Sequence, residues 1–442
     1  MSILSNGISN VTGIKTWADF HPEVDELFRR PWIDWPCERI DTDLTPSCQP
    51  CIVRSAGQEL FTAGTQGEVF HSKDLGKTWS LLATSPSFCP PLPEGLIVSD
   101  HSCYGIGVTD QGTILLVWAL RYNDGRKHGS SASADQPQVH EDDSYCMDTW
   151  MTRSCDRGQT WEPTTPLDPS PFDAICDQAT LLQLRDGRII VPLRVQACSR
   201  PGRTLSLSEN ALSSILYCSD DDGRTWSQLS RFPDHSPEPD LLELPGGEIL
   251  AYIRYQRCKL PDDPPELATD QRLYSAPGAP TDLGQAVFQH SAFSSSADGG
   301  KTWAPPRLVT GSAQQSGSLV RLSDGTLIMT FGRYGQRFML SYDDGQTWGK
   351  AVYQLYQCGQ YARSIALNDD TIVTVHDNRE TWGGFQGRVL RCYDNTVVSD
   401  GITDTPQRLG VLRWRVPSRS RVESEGFFTP RQAEAGIQDA MM

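Results

Sequence analysis

The sequence predicts an all-β fold, a six-bladed β-propeller with four-stranded antiparallel blades and five Asp-box turns. Three observations lead to this prediction: a turn motif that occurs five times, a strand–turn–strand pattern that occurs six times, and a composition suited to many turns. The chain has 442 residues, of which 37 are Gly and 30 are Pro. One all-β unit can use this length, because large β folds often exceed the size of an average domain.

The turn motif, called the Asp box here, reads Ser-x-Asp-x-Gly-x-Thr-Trp. In its first copy Ser72 and Asp74 can bond nearby backbone N–H groups, and Gly76 can adopt a positive φ. The closing Trp79 can bury a large ring against a neighbouring strand. We therefore interpret the motif as structural, with no chemistry of its own. Its five copies begin at Ser72, Ser154, Ser219, Ser296 and Ser341.

The strand–turn–strand pattern joins two short apolar runs by a turn that contains Gly or Asp. Such runs, separated by turn residues, are typical of β-hairpins. Six hairpins, five of them followed by an Asp box, predict six blades of four strands each. The hairpins cover residues 52–62, 105–121, 181–194, 241–254, 319–333 and 364–379.

The propeller is predicted to span residues 41–416, with the outer strands of its sixth blade within residues 389–416. We expect residues 1–40 to form an N-terminal extension that packs on the ring or closes it. Residues 417–442 are predicted to be a polar C-terminal tail. The second blade contains a long polar insertion at residues 122–147, and loops of this length are usually functional or mobile.

Composition argues against several function classes. The 39 basic and 55 acidic residues give a formal net charge of −16, which disfavours a nucleic acid or an anionic membrane as partner. No apolar stretch is long enough to predict a transmembrane helix. The 13 Cys lack the spacing of a metal site, and no cofactor is expected. They suit free thiols in a cytoplasmic protein, with secretion as the alternative if a signal segment has been removed.

The Asp boxes and the blade order resemble the sialidase (neuraminidase) superfamily over roughly residues 45–415. Glu238 stands sixteen residues before Arg254, as a functional Glu and Arg do in that family. The resemblance implies that Glu238 is the base partner of the nucleophile and that Arg254 binds the substrate carboxylate. Tyr361, in the run Tyr-Ala-Arg-Ser, matches the region of the family's tyrosine nucleophile.

Further arginines extend this resemblance. The segment from Ser316 to the fifth Asp box is similar to the family segment that supplies another carboxylate-binding arginine, for which Arg337 is the first choice and Arg333 the second. Guanidinium groups grip carboxylate or sulfate through two N–H groups at once. If the ends of the second strands of the hairpins converge, they form a cationic cup from Arg121, Arg194, Arg254, Arg333 and Arg379.

The repeat itself gives an independent reason to pair Glu238 with Tyr361. Counted back from the turn of each hairpin, the two residues occupy the same register, so both are expected at the channel mouth near the propeller axis. The same register places Gln178 of blade three and Ser316 of blade five there.

A tyrosine nucleophile suits a sugar that carries a carboxylate on its anomeric carbon. That carboxylate would repel an anionic Asp or Glu, whereas a neutral phenol activated by a neighbouring Glu avoids the repulsion. The resemblance therefore implies a retaining exo-glycosidase whose partner is a small acidic sugar or oligosaccharide.

Two positions depart from the family pattern. Residues 47–51 lack the arginine that completes the family's carboxylate triad, and the turn at residues 64–67 lacks its acid/base aspartate. Arg194 is the expected substitute for the arginine. The expected acids, each just ahead of an inner strand, are Asp100, His101 and Asp177. For His101, a packed or solvated side chain is the alternative.

Two other function classes stay open. A polysaccharide lyase would use Tyr361, His101 or His376 as base and an arginine to neutralise the carboxylate. A non-catalytic propeller that binds carbohydrate or protein is favoured by the missing arginine and aspartate, and opposed by the shared register of Glu238 and Tyr361. Asp177 and His376 are also candidates for substrate contact.

Overall fold

The computed structural model describes most of the chain between residues 33 and 432. Within the described ranges, no helix is long and apolar enough to cross a membrane. For some strand residues, among them 97–100 and 315–316, the backbone alone is described. The described ranges are 33–47, 49–87, 97–123, 127–128, 146–172, 174–176, 179–196, 198–199, 213–257, 288–310, 315–332, 336–356, 361–377, 381–383, 389–393, 396–399 and 408–432.

Six antiparallel sheets form the blades of a six-bladed β-propeller, which confirms the predicted fold class. Blade one contains Val53–Arg54, Leu60–Ala63, Glu68–Ser72 and Ser80–Thr84. Blade two contains Ile97–Val108, Ile114–Asn123, Cys146–Ser154 and Thr165–Pro166. In blade three the short inner strands Ala174–Cys176 and Leu182–Gln183 both pair with Ile189–Gln196, which is followed by Ser213–Ser219 and Ser227–Arg231.

The second half of the ring repeats this arrangement. Blade four contains Asp240–Glu243, Ile249–Arg257, Phe288–Ser296 and Arg307–Leu308. Blade five contains Gln315–Arg321, Leu327–Gly332, Gln336–Ser341 and Tyr353–Tyr356. Blade six contains Ala362–Ala366, Ile372–Asp377, Leu409–Trp414 and, from the N-terminal part of the chain, Cys37–Asp41.

The fourth strand of blade six corrects the prediction for residues 389–416. Leu409–Trp414 is the third strand of the blade, and it pairs antiparallel with Cys37–Asp41. Residues 389–393 and 396–399 instead form a separate small sheet with residues 381–383. An early strand therefore closes the ring against a late one. Two residues further back, Ile33–Asp34 pairs in parallel with the last strand of blade five.

The segment after blade six is structured where a polar tail was expected. Helix α1 spans Arg419–Glu425, ends at Gly426 with φ of 81°, and buries only Val422. Phe427–Phe428 then pairs with Trp348–Gly349 of blade five, and Arg431–Gln432 pairs with blade four. Because one buried valine is a weak hydrophobic signal, the sequence pattern did not reveal this helix.

Two short strand pairings lie outside the four-stranded pattern of the blades. Lys127–His128 pairs with Cys198–Ser199, and Ala179–Thr180 pairs in parallel with the inner strand of blade two. The second contact joins the inner strands of two adjacent blades.

The Asp boxes form the turns between the third and fourth strands of blades one to five. In the first box the Ser72 hydroxyl donates to Asp74 at 2.8 Å and accepts from Gly76 N at 2.8 Å. The same serine–aspartate and glycine–serine hydrogen bonds occur in the other four boxes. The box glycines leave room for the preceding blade, since a Cβ added at Gly76 would lie 3.0 Å from Val373. The hydrogen bonds therefore fix the shape of each turn, and its glycine lets the turn pack closely against the neighbouring blade.

The hydrophobic cores lie between neighbouring blades. One cluster joins Leu244 and Tyr252 of blade four to Leu319 and Met329 of blade five, all of them buried. Each blade is covered on both faces, so its second strand is an apolar run, as in Ile114–Asn123. This packing directs the first strands toward the axis, where their N-terminal ends can meet.

Candidate functional site

Glu238 and Tyr361 meet at the N-terminal ends of two inner strands. Glu238 precedes the first strand of blade four, and Tyr361 precedes that of blade six. The Tyr361 hydroxyl donates to Glu238 Oε1 at 3.4 Å. Glu238 is 2% exposed, while Tyr361 is half-buried. The structure therefore brings together the two residues that share a register in the sequence repeat.

Arg254 completes this group from the second strand of blade four. Its Nη1 donates to Glu238 Oε1 at 2.7 Å and to the Tyr361 hydroxyl at 3.4 Å. The side chain of Arg254 is 8% exposed, so the ion pair is buried, within one blade rather than between two. Because one Nη1 touches both oxygens, negative charge on either the carboxylate or the phenol faces a cation.

The backbone holds both residues in defined positions. Glu238 has φ of 54°, a left-handed conformation that is uncommon for a side-chain-bearing residue and further disfavoured before a proline. Strain of this kind concentrates at functional sites, where the surrounding structure enforces it. On the other strand, Tyr361 N donates to Asp377 Oδ1 at 3.2 Å, and Asp377 N donates to the Tyr361 carbonyl at 3.3 Å. Asp377 is fully buried and was not singled out in the sequence.

A second buried layer lies two residues further along the same strands. Arg363 Nε lies 3.6 Å from Asp240 Oδ1 and donates to Thr180 Oγ1 at 3.1 Å. Arg363 Nη1 also donates to the carbonyls of Gly317 and Ala362. These contacts join blades three, four, five and six, which meet in this way only near the axis. Neither Asp240 nor Arg363 was among the residues singled out from the sequence.

The described contacts of the other predicted arginines do not include Glu238, Tyr361 or Arg254. Arg337 is fully buried on the third strand of blade five and donates to Gln354 Oε1 at 3.3 Å. Gln354 in turn donates to Asp34 Oδ1 at 3.2 Å. Arg194 is half-buried on the second strand of blade three. It occupies the position that Arg254 has in blade four, because each arginine lies five residues after the strand residue that pairs with the serine of the Asp box. Arg333 lies outside the described residues.

His101 is packed against aromatic rings. Its imidazole stacks on Trp118 at 5.1 Å and on Trp150 at 5.6 Å between ring centroids. Its Nδ1 lies 3.0 Å from the Ser87 hydroxyl. The structure thus gives His101 the packed surroundings that were the alternative reading, although it stays half-buried.

Several of the other predicted residues are not described at side-chain level. Asp100 lies opposite Arg121 in the blade-two ladder, but the side chains of both are outside the described set. The same holds for the side chain of Ser316. Three further candidates lie outside the described ranges: Asp177, Gln178 and Arg379. Most of the 122–147 insertion also lies outside them.

His376 has no surface for substrate contact, which corrects its place among the binding candidates. It is 0% exposed on the second strand of blade six. Its Nδ1 donates to the Asp377 carbonyl at 3.0 Å, and its ring lies against Tyr356 and Gly410. Burial lowers the pKa of His376 to about 4, so the imidazole is neutral at pH 7.

The start of blade one is neutral where the family pattern has its arginine. Ser47, Gln49 and Cys51 are all buried, and the Ser47 hydroxyl donates to the Gln49 carbonyl at 2.6 Å. Burial raises the pKa of the Cys51 thiol. Among the described residues, no cluster of three or more His, Cys, Asp or Glu has the arrangement of a metal site.

Comparison with known proteins agrees with the fold. Residues 136–261 match the family model described as a BNR repeat-like domain. A protein of unknown function from Dyadobacter fermentans is 16% identical with a TM-score of 0.51, over 86% of this chain and 98% of that one. The K499G mutant of NanB sialidase from Streptococcus pneumoniae is 13% identical with a TM-score of 0.52, over 91% of this chain and 73% of that one.

No curated protein sequence gives a significant match. At these identities the solved structures establish the fold alone. Together with the six blades of the structure, they show that the chain is a six-bladed β-propeller with a fold like that of NanB sialidase, and the BNR repeat-like match covers residues 136–261 of it.

Proposed function

We propose that the protein is a retaining exo-glycosidase that acts on a carboxylate-bearing sugar, with Tyr361 as nucleophile and Glu238 as its base. The observation that carries the proposal is the contact of Tyr361, Glu238 and Arg254 at 2.7–3.4 Å. A phenol needs a base within hydrogen-bond reach before it can attack, and such contacts are often long before substrate binds.

In the proposed first step the Tyr361 oxygen forms a bond to the anomeric carbon while the bond from that carbon to the leaving-group oxygen breaks. Glu238 takes the phenol proton, and an acid donates a proton to the leaving group. Asp100, His101 and Asp177 remain the candidates for that acid. In the second step water attacks the anomeric carbon and gives one proton to the conjugate base of that acid, while the bond from this carbon to the Tyr361 oxygen breaks. Glu238 returns its proton to the departing phenolate, and the sugar leaves with its configuration retained.

Arg254 has two proposed tasks. Its Nη1, 3.4 Å from the Tyr361 hydroxyl, stabilises the negative charge that develops on the phenol oxygen as the proton leaves. We also propose that the guanidinium contributes to binding the substrate carboxylate. Arg194, at the matching position of blade three, is proposed to assist. Arg337 is given no part in binding, because it is fully buried and hydrogen-bonded to Gln354.

A product screen tests the proposed function. The wild-type protein is incubated with a panel of acidic and neutral glycosides, and the products are identified by mass and by ultraviolet absorption. We expect release of an acidic sugar with the mass of one added water. An unsaturated sugar that absorbs in the ultraviolet would instead support a lyase, and binding without any product would support a non-catalytic carbohydrate-binding propeller.

A further inference from the structure

We propose that Asp240 and Arg363, the second buried layer, are positioning residues that hold Glu238 and Tyr361 at reacting distance from each other. This proposal rests on the proposed function, because it assigns a role to the support of that site. It concerns two buried charged residues that the mechanism itself does not use.

The two layers are neighbours along the chain. Asp240 begins the first strand of blade four two residues after Glu238, and Arg363 lies in the first strand of blade six two residues after Tyr361. The Tyr361 hydroxyl lies 3.4 Å from Glu238 Oε1, and Arg363 Nε lies 3.6 Å from Asp240 Oδ1. The pair of Asp240 and Arg363 is thus a second link between the two strand ends that carry the reacting groups.

Arg363 is fixed by contacts to three other blades. Besides Asp240 of blade four, it binds Thr180 of blade three at 3.1 Å and the Gly317 carbonyl of blade five. Its side chain is 4% exposed. Gly317 is itself tightly packed against the second strand of blade five, because a Cβ there would lie 1.7 Å from the Thr330 carbonyl oxygen. The guanidinium of Arg363 therefore links the inner strands of blades three, four, five and six and fixes the distances between them.

Asp240 depends on Arg363 for its charge. Its side chain is 5% exposed, and its Oδ2 accepts from Leu319 N of blade five at 3.2 Å. Burial raises the pKa of Asp240, and the Arg363 guanidinium is the main opposing influence. If either partner is removed, the other is left as a buried charge without its counter-ion, so the strand ends must shift to find water or another partner.

A small shift is enough to affect the reaction. The distance of 3.4 Å between Tyr361 and Glu238 already exceeds the usual 2.5–3.0 Å of hydrogen bonds between oxygens. A further displacement by about 1 Å would break the contact, and misplacement of that size can cost about a hundredfold in rate. The loss should fall on kcat, because Asp240 and Arg363 are almost fully buried and have no substrate contact in the proposed mechanism.

The test compares Asp240→Asn and Arg363→Lys with Asp222→Asn. Asp222, whose side chain is 12% exposed, forms an ion pair at 2.8 Å with the buried Arg153, which also pairs with Glu162, so its variant controls for the loss of a largely buried carboxylate charge in another part of the propeller. Each protein is examined for kcat, KM, stability to denaturant and crystal structure. Arg363→Lys keeps the charge but loses the planar fork, which makes it the milder variant and one that should fold if Asp240→Asn does not.

We expect Asp240→Asn to lower kcat about a hundredfold and Arg363→Lys about tenfold, with KM within about threefold of wild type. Their crystal structures should show a longer distance between Tyr361 and Glu238. Asp222→Asn should lose stability yet keep kcat within about twofold. The proposal is overturned if either axis variant retains both full kcat and the original distance. If wild type turns over no acidic glycoside, the proposed function fails, while the distance in the variants still decides the positioning role.

Discussion

Replacing Arg254 by methionine would remove a charge from the site while keeping an unbranched side chain. Its partner Glu238 would remain as a carboxylate with a side chain that is 2% exposed, facing no cation at 2.7 Å. Removing one member of a buried ion pair typically costs about 3–5 kcal/mol of folding stability. Because both side chains are almost fully shielded from solvent, we expect Arg254→Met to lie within that range.

The double variant distinguishes a buried charge from lost packing. Glu238→Gln in the Arg254→Met background replaces the stranded carboxylate by a neutral amide of the same shape. The double variant should therefore be more stable than the sum of the two single losses predicts, by about 1–3 kcal/mol. Equilibrium unfolding in guanidinium chloride gives the four free energies of the cycle.

Arg415→Met is the matched control. Arg415 and Asp369 form an ion pair at 2.6 Å whose side chains are 61% and 58% exposed. Exposed pairs contribute about 0–1 kcal/mol, so this variant should change little. The reasoning is refuted if Arg254→Met costs no more than Arg415→Met, or if the cycle at Glu238 and Arg254 is additive.

Two further predictions concern the frame around the site. Gly317→Ala should cost about 1–3 kcal/mol of unfolding free energy, because its Cβ would meet the Thr330 carbonyl at 1.7 Å, whereas Gly246→Ala has nothing within 4 Å and should be tolerated in the same denaturation assay. Stability should also fall in two acid steps. Burial lowers the pKa of His376 from 6.5 to about 4. Between these pH values the unfolded chain binds a proton at His376 and the folded chain does not, so the free energy of unfolding decreases as pH falls from 6.5 to about 4. Hydrogen bonds from Thr160 lower the pKa of Asp156 from 3.8 to about 2, so its contribution is lost below pH 3.8. Thermal unfolding of wild type and His376→Gln across this range checks both, and a first step that persists in His376→Gln would contradict the assignment.

The sequence carried enough information to predict the blades and the central pair. The Asp boxes and hairpins define a repeat, and a shared register in that repeat placed Glu238 and Tyr361 together before any distance was known. Cys37–Asp41 was not recognised as a strand of blade six, because it is short, mostly polar and more than 360 residues from its partner Leu409–Trp414. Strand pairing over such a separation leaves no local signal.

The buried charges were missed for a different physical reason. Asp240 and Arg363 are charged residues in inner strands, and charged residues are almost never fully buried unless they are paired. Their pairing depends on how blades four and six face each other, which no local pattern contains. His376 was ranked as a candidate by residue type, but the pleat turns it into the packed face of its strand, away from Tyr361.

The proposed function depends most directly on the tyrosine nucleophile. The measurement is kcat of Tyr361→Phe and Glu238→Gln, alone and combined, on the acidic glycoside that the wild-type protein hydrolyses best. Tyr361→Phe should lower kcat at least about a hundredfold, equivalent to about 2.7 kcal/mol of transition-state stabilisation. Glu238→Gln should cost a similar factor, and the two losses should not add, because both residues serve one step. Near-full turnover by Tyr361→Phe would contradict the account and would favour attack by water or elimination.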